Sequence, residues 1–227
     1  MRALPSLLLV TLFAIPFAFA ASLADLTDKE AGGGLKEALT QGASVAVAKL
    51  GAADGFLGNP KVKIPLPDGL RQGEKLMRTM GMGKQADELV VAMNRAAESA
   101  VSQAKPVLVD AVKKMTVQDA KQILTGGDDS VTQYFRRTTS AELEQKFRPI
   151  VAQATSKVQL AQKYDQLAGK ASSFGLVKKE DANLDSYVTR KALDGLYLMI
   201  GEEERAIRKD PLGATGSLAK KVFGALQ

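Results

Sequence analysis

Three residue types that support much of enzyme chemistry are missing from this chain of 227 residues, which contains no cysteine, no histidine and no tryptophan. Without cysteine and histidine, the usual zinc and copper ligand sets, disulfides, and Cys–His or Ser–His–Asp nucleophiles are excluded. Any catalysis would have to use carboxylates, lysine, tyrosine, serine or threonine. We therefore predict no metal and no cofactor, and we favour a non-enzymatic binding role over an enzyme.

Charge of one sign is also scarce, because 31 lysines and arginines stand against 25 aspartates and glutamates. The basic residues cluster only in doublets, and aromatic residues make up 5% of the chain, too few to alternate with them as stacking platforms for bases. Nucleic acid is therefore not among the predicted partners. A weak attraction to anionic membrane surfaces is kept as an alternative.

The N terminus carries a short hydrophobic run. Residues 1–20 hold one arginine, then an apolar stretch that ends with Ala18, Phe19 and Ala20. This order predicts a secretory signal peptide that is cleaved after Ala20, and the alternative is an uncleaved membrane anchor. Because no cysteine follows for lipid attachment, we expect a soluble periplasmic protein that does not span the membrane after cleavage. Residues 21–227 should form one helical domain.

Apolar residues recur at helical spacing through most of the mature chain, so the predicted fold is all-α and bundle-like. Residues 86–104 place a leucine, a methionine and four alanines on one stripe, which indicates a helix packed through small side chains. Pro106 should end it and leave a short second helix. Thr116 and Asp119 should then begin the next helix, with a hydroxyl at the cap and a carboxylate in the first turn.

The next part of the sequence predicts two helical segments, each of which begins at its own capping residue. Asp128 or Asp129 should cap a segment that follows a glycine turn, and Thr139 or Ser140 should cap a long helix that begins near Ala141.

Downstream, proline and an amphipathic tail mark further boundaries. Pro149 lies inside the long helix, where we expect a kink or a break. Residues 184–200 again show helical spacing, and this helix should end at Asp210 before a proline. The tail, residues 217–227, has one apolar side, which predicts either docking on the core or contact with a membrane surface.

One segment departs from the helical pattern, and we call residues 54–68 the strap. It is rich in glycine and proline, and Val62, Ile64 and Leu66 alternate with lysines and a proline. Such alternation predicts an extended, half-buried, ordered loop whose prolines prevent regular strand pairing. Because long ordered loops in small domains often carry function, Phe56, Ile64 and Leu66 are the predicted partner-binding residues.

Several stretches together are similar to a known family. They are GFLGNPKVKIPLP (55–67), MNRAAESAV (93–101), MTVQDAKQIL (115–124), TQYFRRTT (132–139), YVTRKALDGLYLMIGEEERAIRKDP (187–211) and KKVFG (220–224). In this order, from about residue 35 to residue 223, the chain resembles a family of exported bacterial proteins, domain-of-unknown-function family 4197. The resemblance implies an exported helical protein of Gram-negative bacteria with no established activity. Members often carry a lipid-attachment cysteine, which this chain lacks, and no site residue carries over.

Two polar residues on the alanine-rich helix form the first candidate ligand site. Asn94 and Glu98 are four residues apart and therefore face the same way. In a functional interpretation, Glu98 is a base or a ligand acceptor that the amide of Asn94 orients. In the favoured structural interpretation, the pair is a buried clamp that ties neighbouring helices together.

Two further candidates combine charge with aromatic or apolar neighbours. Tyr134 and Arg136 place a ring beside a guanidinium group, which could bind phosphate, sulfate or carboxylate. Lys191 and Asp194 lie within an apolar run, where a buried carboxylate needs a partner. Asp194 is therefore expected to pair with Lys191 or with an arginine of another helix, or else to act as an acid catalyst.

Three hypotheses about function follow. The leading one is a periplasmic protein that binds an envelope protein or a small ligand through the strap and the groove that it crosses. The second is an enzyme of unknown reaction that uses Glu98, Asp194, Lys191 and Arg136, and it requires these groups to line one cavity. The third is a peripheral protein that contacts the membrane surface through its tail.

Overall fold

A computed structural model describes residues 28–68, 71, 74, 78–81, 83–165 and 181–210. The predicted signal peptide and the tail, residues 217–227, lie outside these ranges. Within them the chain forms helices and no strand, which confirms the all-α prediction. The helices are α1 (Asp28–Gly51), α2 (Gly83–Val101), α3 (Lys105–Lys114), α4 (Val117–Thr125), α5 (Ser130–Thr155) and α6 (Leu184–Lys209). None of these described helices is long and apolar enough to cross a membrane.

The two longest helices, α5 and α6, form the centre of the bundle. They run antiparallel, because Thr139 near the start of α5 meets Tyr197 while Thr155 at its end meets Asp185 near the start of α6. Helices α1 and α2 pack against this pair. The buried apolar side chains of all six helices form one hydrophobic core, in which the fully enclosed large residues include Phe135, Phe147 and Tyr197.

Helix α1 was not predicted. Its glycines interrupt the apolar pattern and lower its intrinsic helix propensity, so the local signal is weak. In the structure, Leu35, Leu39, Ala46 and Leu50 are nonetheless buried at helical intervals. Tertiary packing along this stripe therefore stabilises a helix that its own residues favour poorly.

Thr116 caps α4 as predicted. Its hydroxyl accepts a hydrogen bond from the Asp119 amide at 3.1 Å, and the Asp119 carboxylate accepts one from the Thr116 amide at 3.1 Å. This reciprocal capping box satisfies two amides that the first turn would otherwise leave unpaired. The glycine turn also ends α4 as predicted, since Gly126 is its C-cap residue.

The predicted division near residue 140 is wrong, because α5 is continuous from Ser130 to Thr155. Thr139 and Ser140 donate their hydroxyls to carbonyls four residues back in the same helix, at 2.6 and 2.5 Å. These bonds satisfy both side chains within a helix interior. The helix also continues beyond Pro149, where Phe147 and Val151 are fully buried and hold it against the core.

The cap at the start of α5 differs from the prediction as well. Asp129 occupies the N-cap position, but its side chain makes no capping hydrogen bond. Instead Glu204 of α6, which is 4% exposed, accepts hydrogen bonds from the amides of Val131 and Thr132 at 3.0 and 3.1 Å. The Glu204 carboxylate also forms an ion pair with Arg208, four residues further along α6. Its negative charge lies at the N terminus of α5, where the helix dipole favours negative charge.

Candidate functional site

The strap lies between α2 and α6 with its apolar side chains inward. Phe56 is fully buried, and Val62, Ile64 and Leu66 are each less than a tenth exposed, while the residues between them face outward. The alternation over residues 62–66 therefore appears as predicted. The strap is not extended throughout, however, because its first part forms consecutive turns in which the Gly58 amide donates to the Asp54 carbonyl at 3.0 Å. The approach to α6 is close, since a Cβ atom on Gly195 would lie 2.7 Å from the Phe56 ring.

Asn94 fastens the strap to α2. Its Oδ1 accepts a hydrogen bond from the Ile64 amide at 2.8 Å, and its Nδ2 donates to the Ile64 carbonyl at 2.9 Å. The same Nδ2 donates to the Val90 carbonyl at 2.8 Å. The side chain thus replaces the neighbouring strand that the strap lacks, and it satisfies two buried backbone groups.

Glu98 fastens the strap one helical turn further along α2. Its Oε1 accepts hydrogen bonds from the amides of Phe56 and Leu57 at 3.1 and 3.2 Å. Its Oε2 accepts from Arg95 at 2.7 Å, and Arg95 also binds Asp54, the first residue of the strap, at 2.7 Å. Asp54 adopts a positive φ of 64°, which turns the chain so that both amides reach one carboxylate.

We call Asn94, Arg95 and Glu98 with their strap contacts the strap clamp. The pair is thus buried and polar, as the structural interpretation stated, but it ties the strap to α2 and does not tie neighbouring helices to each other. The predicted partner-binding side chains of Phe56, Ile64 and Leu66 lie in the core, so they are not presented at the surface. Ile64 and Leu66 are buried because they lie on the same side of the strap, and the helices that flank the strap cover that side.

A second polar constellation lies in a groove between α5 and α6, which we call the arginine groove. It encloses about 420 Å³ and is lined by Arg136, Ser140, Glu144, Arg148, Ser186, Arg190, Leu193, Asp194 and Tyr197. The contributions of α5 are spaced by four residues, so they form one stripe along the helix.

One end of the groove is built around Arg136. Its guanidinium carbon lies 4.7 Å from the ring centroid of Tyr197, a cation–π contact. Its Nη1 lies 3.4 Å from the Asp194 carboxylate. The Tyr197 hydroxyl lies 3.0 Å from the hydroxyls of both Thr139 and Ser140, and burial raises the pKa of Tyr197. The ring beneath Arg136 therefore stays neutral and fixed.

The other end of the groove is built around Arg148 and Arg190. Arg148 binds Glu144 at 2.7 Å, and Arg190 binds Asp181 while lying 5.6 Å from the Tyr187 ring centroid. The Arg190 Nε atom is buried and has no hydrogen-bond partner among the described residues. Across the described residues, Arg136, Arg148 and Arg190 each reach a carboxylate through one nitrogen atom. Most of the N–H donors of these three arginines therefore form no hydrogen bond with a described residue.

The structure brings four of the six predicted ligand residues together in two pairs, Asn94 with Glu98 in the strap clamp and Arg136 with Asp194 in the arginine groove, and it separates Tyr134 and Lys191 from both. Arg136 pairs with Asp194, which confirms the prediction that an arginine of another helix could be the partner of this carboxylate. Asp194 is not buried as expected, however, since its side chain is 47% exposed in the groove. Lys191 does not pair with it, and its Nζ lies 5.8 Å from the Tyr187 ring centroid. Glu98 serves the strap clamp, so the set proposed for an enzyme is divided between two places.

Tyr134 faces a different cleft from Arg136. Its hydroxyl donates to the Ala111 carbonyl at 2.7 Å, and its outer ring face meets Arg137 at 5.7 Å. Arg137 in turn binds Asp119 at 2.9 Å, and the Thr116 hydroxyl together with Arg137 holds the pKa of Asp119 below its usual range. The cleft therefore consists of groups that fasten α3, α4 and α5 to one another.

Sequence reasoning missed most of the arginine groove. Arg148, Arg190, Ser140, Ser186 and Tyr197 were not predicted, although the four-residue spacing from Arg136 to Arg148 is visible in the sequence. The other half of the groove comes from the antiparallel helix α6, and the sequence does not show that α6 packs beside these residues. No group of three or more acidic side chains in the described ranges is placed to hold a metal ion.

Comparison with known proteins identifies a family and nothing closer. A family model described as "Protein of unknown function (DUF4197)" matches residues 25–224. Comparisons with curated proteins and with solved structures gave no match. Because the family model covers most of the sequence, from before the start of α1 to beyond the end of α6, the chain belongs to the DUF4197 family of proteins of unknown function.

Proposed function

We propose that this protein is exported to the periplasm and there binds an anionic partner or ligand in the arginine groove, without catalysing a reaction. The observation that carries the proposal is the state of the three groove arginines. Each offers several N–H donors that no described residue uses, and Arg136 and Arg148 are about half exposed. A guanidinium group presents a planar fork of donors that matches carboxylate, phosphate and sulfate.

The rest of the groove supports binding rather than chemistry. Ser140 and Ser186 add hydroxyls, and Leu193 with the Tyr197 ring adds an apolar floor. The Ser140 hydroxyl donates to the Arg136 carbonyl and lies beside the Tyr197 hydroxyl, so it is not paired with a carboxylate that could activate it as a nucleophile.

Export rests on the N-terminal sequence. A single arginine, a short apolar run and a small residue on either side of Phe19 are the features that a signal peptidase recognises. The test is to express the full chain in a Gram-negative host and to sequence the N terminus of the protein released by osmotic shock. A sequence that starts at Ala21 is expected, and an intact Met1 in the membrane fraction would contradict export in soluble form.

The binding proposal is tested by titrating the purified protein with inorganic phosphate, sulfate and acetate while recording backbone amide NMR shifts. We expect saturable shifts that cluster on the groove faces of α5 and α6. The double variant Arg136→Gln with Arg148→Gln should abolish them. The matched control is Arg137→Gln, which removes an arginine of similar exposure, 61% against 53% and 54%, from the same helix but not from the groove. Shifts that survive the double variant, or that vanish in the control, would contradict the proposal.

A further inference from the structure

Two arginines from different helices meet at one end of the arginine groove. Helices α5 and α6 run antiparallel, and Thr155 of α5 contacts Asp185 of α6. Arg148 precedes Thr155 by about 10 Å along the axis of α5. Arg190 follows Asp185 by about 8 Å along the axis of α6, on the same side of that contact. The register therefore brings both arginines to one end of the groove that they line, which we call the two-arginine end.

Each arginine at this end has one carboxylate partner and keeps further donors. Glu144 accepts a hydrogen bond from Nη2 of Arg148, and Asp181 accepts one from Nη2 of Arg190. The Nη1 and Nε atoms of both arginines form no hydrogen bond with a described residue. Because the Glu144 side chain is 51% exposed, its ion pair is weak, and an anion in the groove can compete for Arg148.

Two polar groups at the two-arginine end lack a hydrogen-bond partner. The Nε atom of Arg190 is buried and unpaired, which is rare in folded proteins because water cannot replace the missing acceptor. The Arg190 side chain as a whole is 35% exposed and lines the groove, so an anion can reach the guanidinium group. The Ser186 hydroxyl, which also lines the groove, forms no hydrogen bond within the described part of the chain.

The opposite end of the groove has fewer unsatisfied groups. Arg136 is stacked on the Tyr197 ring at 4.7 Å, and its Nη1 lies 3.4 Å from the Asp194 carboxylate. The Ser140 hydroxyl donates to the Arg136 carbonyl and lies 3.0 Å from the Tyr197 hydroxyl. The donors that still need an acceptor therefore lie mainly at the two-arginine end.

These donors match a tetrahedral anion of charge −2 better than they match a carboxylate. A carboxylate has two oxygen atoms and one charge, and a single guanidinium group can bind both oxygens. A phosphate monoester has three acceptor oxygens and a charge of about −1.5 to −2 at pH 7. It can therefore accept hydrogen bonds from two guanidinium groups and one hydroxyl at once. Ser186 is also the third residue of α6, where the helix dipole adds to the attraction.

We infer that the two-arginine end of the groove binds a phosphate monoester group, held by Arg148, Arg190 and Ser186. This inference rests on the proposed function and names the chemical class of its ligand. Soluble phosphate esters and the lipid phosphatidic acid both carry this group, so the experiment includes a separate measurement for each source.

The first measurement compares three anions by amide NMR titration of the purified protein at pH 7.5. They are methyl phosphate, which is a monoester, dimethyl phosphate, which is a diester of charge −1, and acetate. Methyl phosphate should bind about tenfold more tightly than the other two, the effect of one further charge-assisted hydrogen bond. Equal affinities for the three anions would overturn the inference and leave a general anion site.

Single variants, each checked for native folding by its circular dichroism melt, locate the site. Arg148→Gln should weaken methyl phosphate binding about tenfold, and Ser186→Ala about threefold. Arg136→Gln, which is matched to Arg148→Gln with side chains 53% and 54% exposed, should weaken it less than twofold. Arg137→Gln, outside the groove, should leave it unchanged.

The outcomes separate this inference from the proposed function. Loss of binding in Arg136→Gln but not in Arg148→Gln would overturn the inference, although the groove would still bind anions. If none of the three anions binds, both the inference and the proposed function fail.

Vesicle flotation distinguishes the two sources of the phosphate group. Vesicles that contain phosphatidic acid are compared with vesicles of phosphatidylglycerol, whose phosphate is a diester. Preferential flotation with phosphatidic acid that Arg148→Gln abolishes identifies a lipid as the source. Methyl phosphate binding without such flotation identifies a soluble ester.

Discussion

The strap clamp and the arginine groove each contain two polar side chains four residues apart on one helix, but these side chains serve different purposes in the two sites. Asn94 and Glu98 lie four residues apart on α2, and Arg190 and Asp194 lie four residues apart on α6. In the clamp, Asn94 is fully buried and Glu98 is 5% exposed, and their polar atoms bind the strap backbone, the Val90 carbonyl or Arg95. In the groove, the Asp194 side chain is 47% exposed and its arginine partner lies at a long 3.4 Å.

The difference between the two sites is what lies opposite the helix. The strap covers α2 and excludes water, so an unpaired group there would cost about 1–3 kcal/mol. Solvent reaches Arg136 and Arg148 in the groove, where the donors that the protein leaves unused are hydrated at little cost. Polar residues of the clamp are therefore committed to the fold, whereas those of the groove are available to a ligand. Substitutions should separate the two sites by stability and by binding.

The largest loss of stability is expected for Asn94→Leu. The change leaves the buried amide and carbonyl of Ile64 without partners, so we expect the free energy of unfolding to fall by about 4 kcal/mol. Urea denaturation followed by circular dichroism measures it. The matched control, Gln153→Leu on the exposed face of α5, should change stability by less than about 0.5 kcal/mol. A loss below about 1 kcal/mol for Asn94→Leu would show that the clamp does not hold the strap.

A smaller loss is expected where the strap meets α6. In Gly195→Ala, the new Cβ lies 2.7 Å from the Phe56 ring, which the core encloses, and overpacking of this kind costs about 2 kcal/mol. Gly32→Ala in α1 is the control, since nothing lies within 4 Å of its added methyl group. That variant should gain up to about 0.8 kcal/mol from helix propensity. Equal melting temperatures for the two variants would rule out close packing of the strap.

Alkaline pH should weaken the strap contact through Tyr187. Its hydroxyl donates to the Pro65 carbonyl at 3.1 Å, and burial raises the pKa of Tyr187 to about 12. Because the folded-state pKa lies above the unfolded value of about 10, its contribution is complete below pH 10 and is lost as the pH rises towards 12. The two-unit shift corresponds to about 2 to 3 kcal/mol.

The measurement is the free energy of unfolding between pH 9 and pH 12 for the wild type and for Tyr187→Phe. The variant is less stable at pH 9, because it lacks the hydrogen bond, but its stability should decline less steeply. Burial also raises the pKa of Tyr164 to about 12, so part of the decline should remain in the variant. Parallel curves for the two proteins would contradict the role of Tyr187.

The smallest change in stability is expected in the arginine groove. Exposed ion pairs contribute about 0.2 to 1 kcal/mol each, so Arg136→Gln combined with Arg148→Gln, which removes two pairs, should lower the free energy of unfolding by about 0.4 to 2 kcal/mol. The same double variant should lose anion binding. A stability loss as large as that of Asn94→Leu, measured in the same urea titration, would mean that the groove arginines are structural as well.

Local features of the fold were within reach of the sequence. The cap formed by Thr116 and Asp119, the short helix that has Pro106 in its first turn and the inward alternation of the strap all follow from the residues of one segment and their spacing. Periodicity and capping act over a few residues, and the sequence displays them directly. The same reasoning wrongly divided α5 near Ser140, because the sequence does not distinguish a hydroxyl that caps a helix from one that forms a hydrogen bond inside a helix.

What the sequence by itself determined is therefore an all-helical chain with a proline-rich strap and a family membership. Only the tertiary structure decided that Asn94 binds Ile64 thirty residues away, that Glu204 caps a helix that begins more than seventy residues earlier, and that Arg136 lies over Tyr197. Such contacts depend on which faces of two helices meet and on which of them water reaches. Burial commits one set of polar side chains to the fold and exposure leaves the other free to bind, and that distinction exists only once the helices are packed.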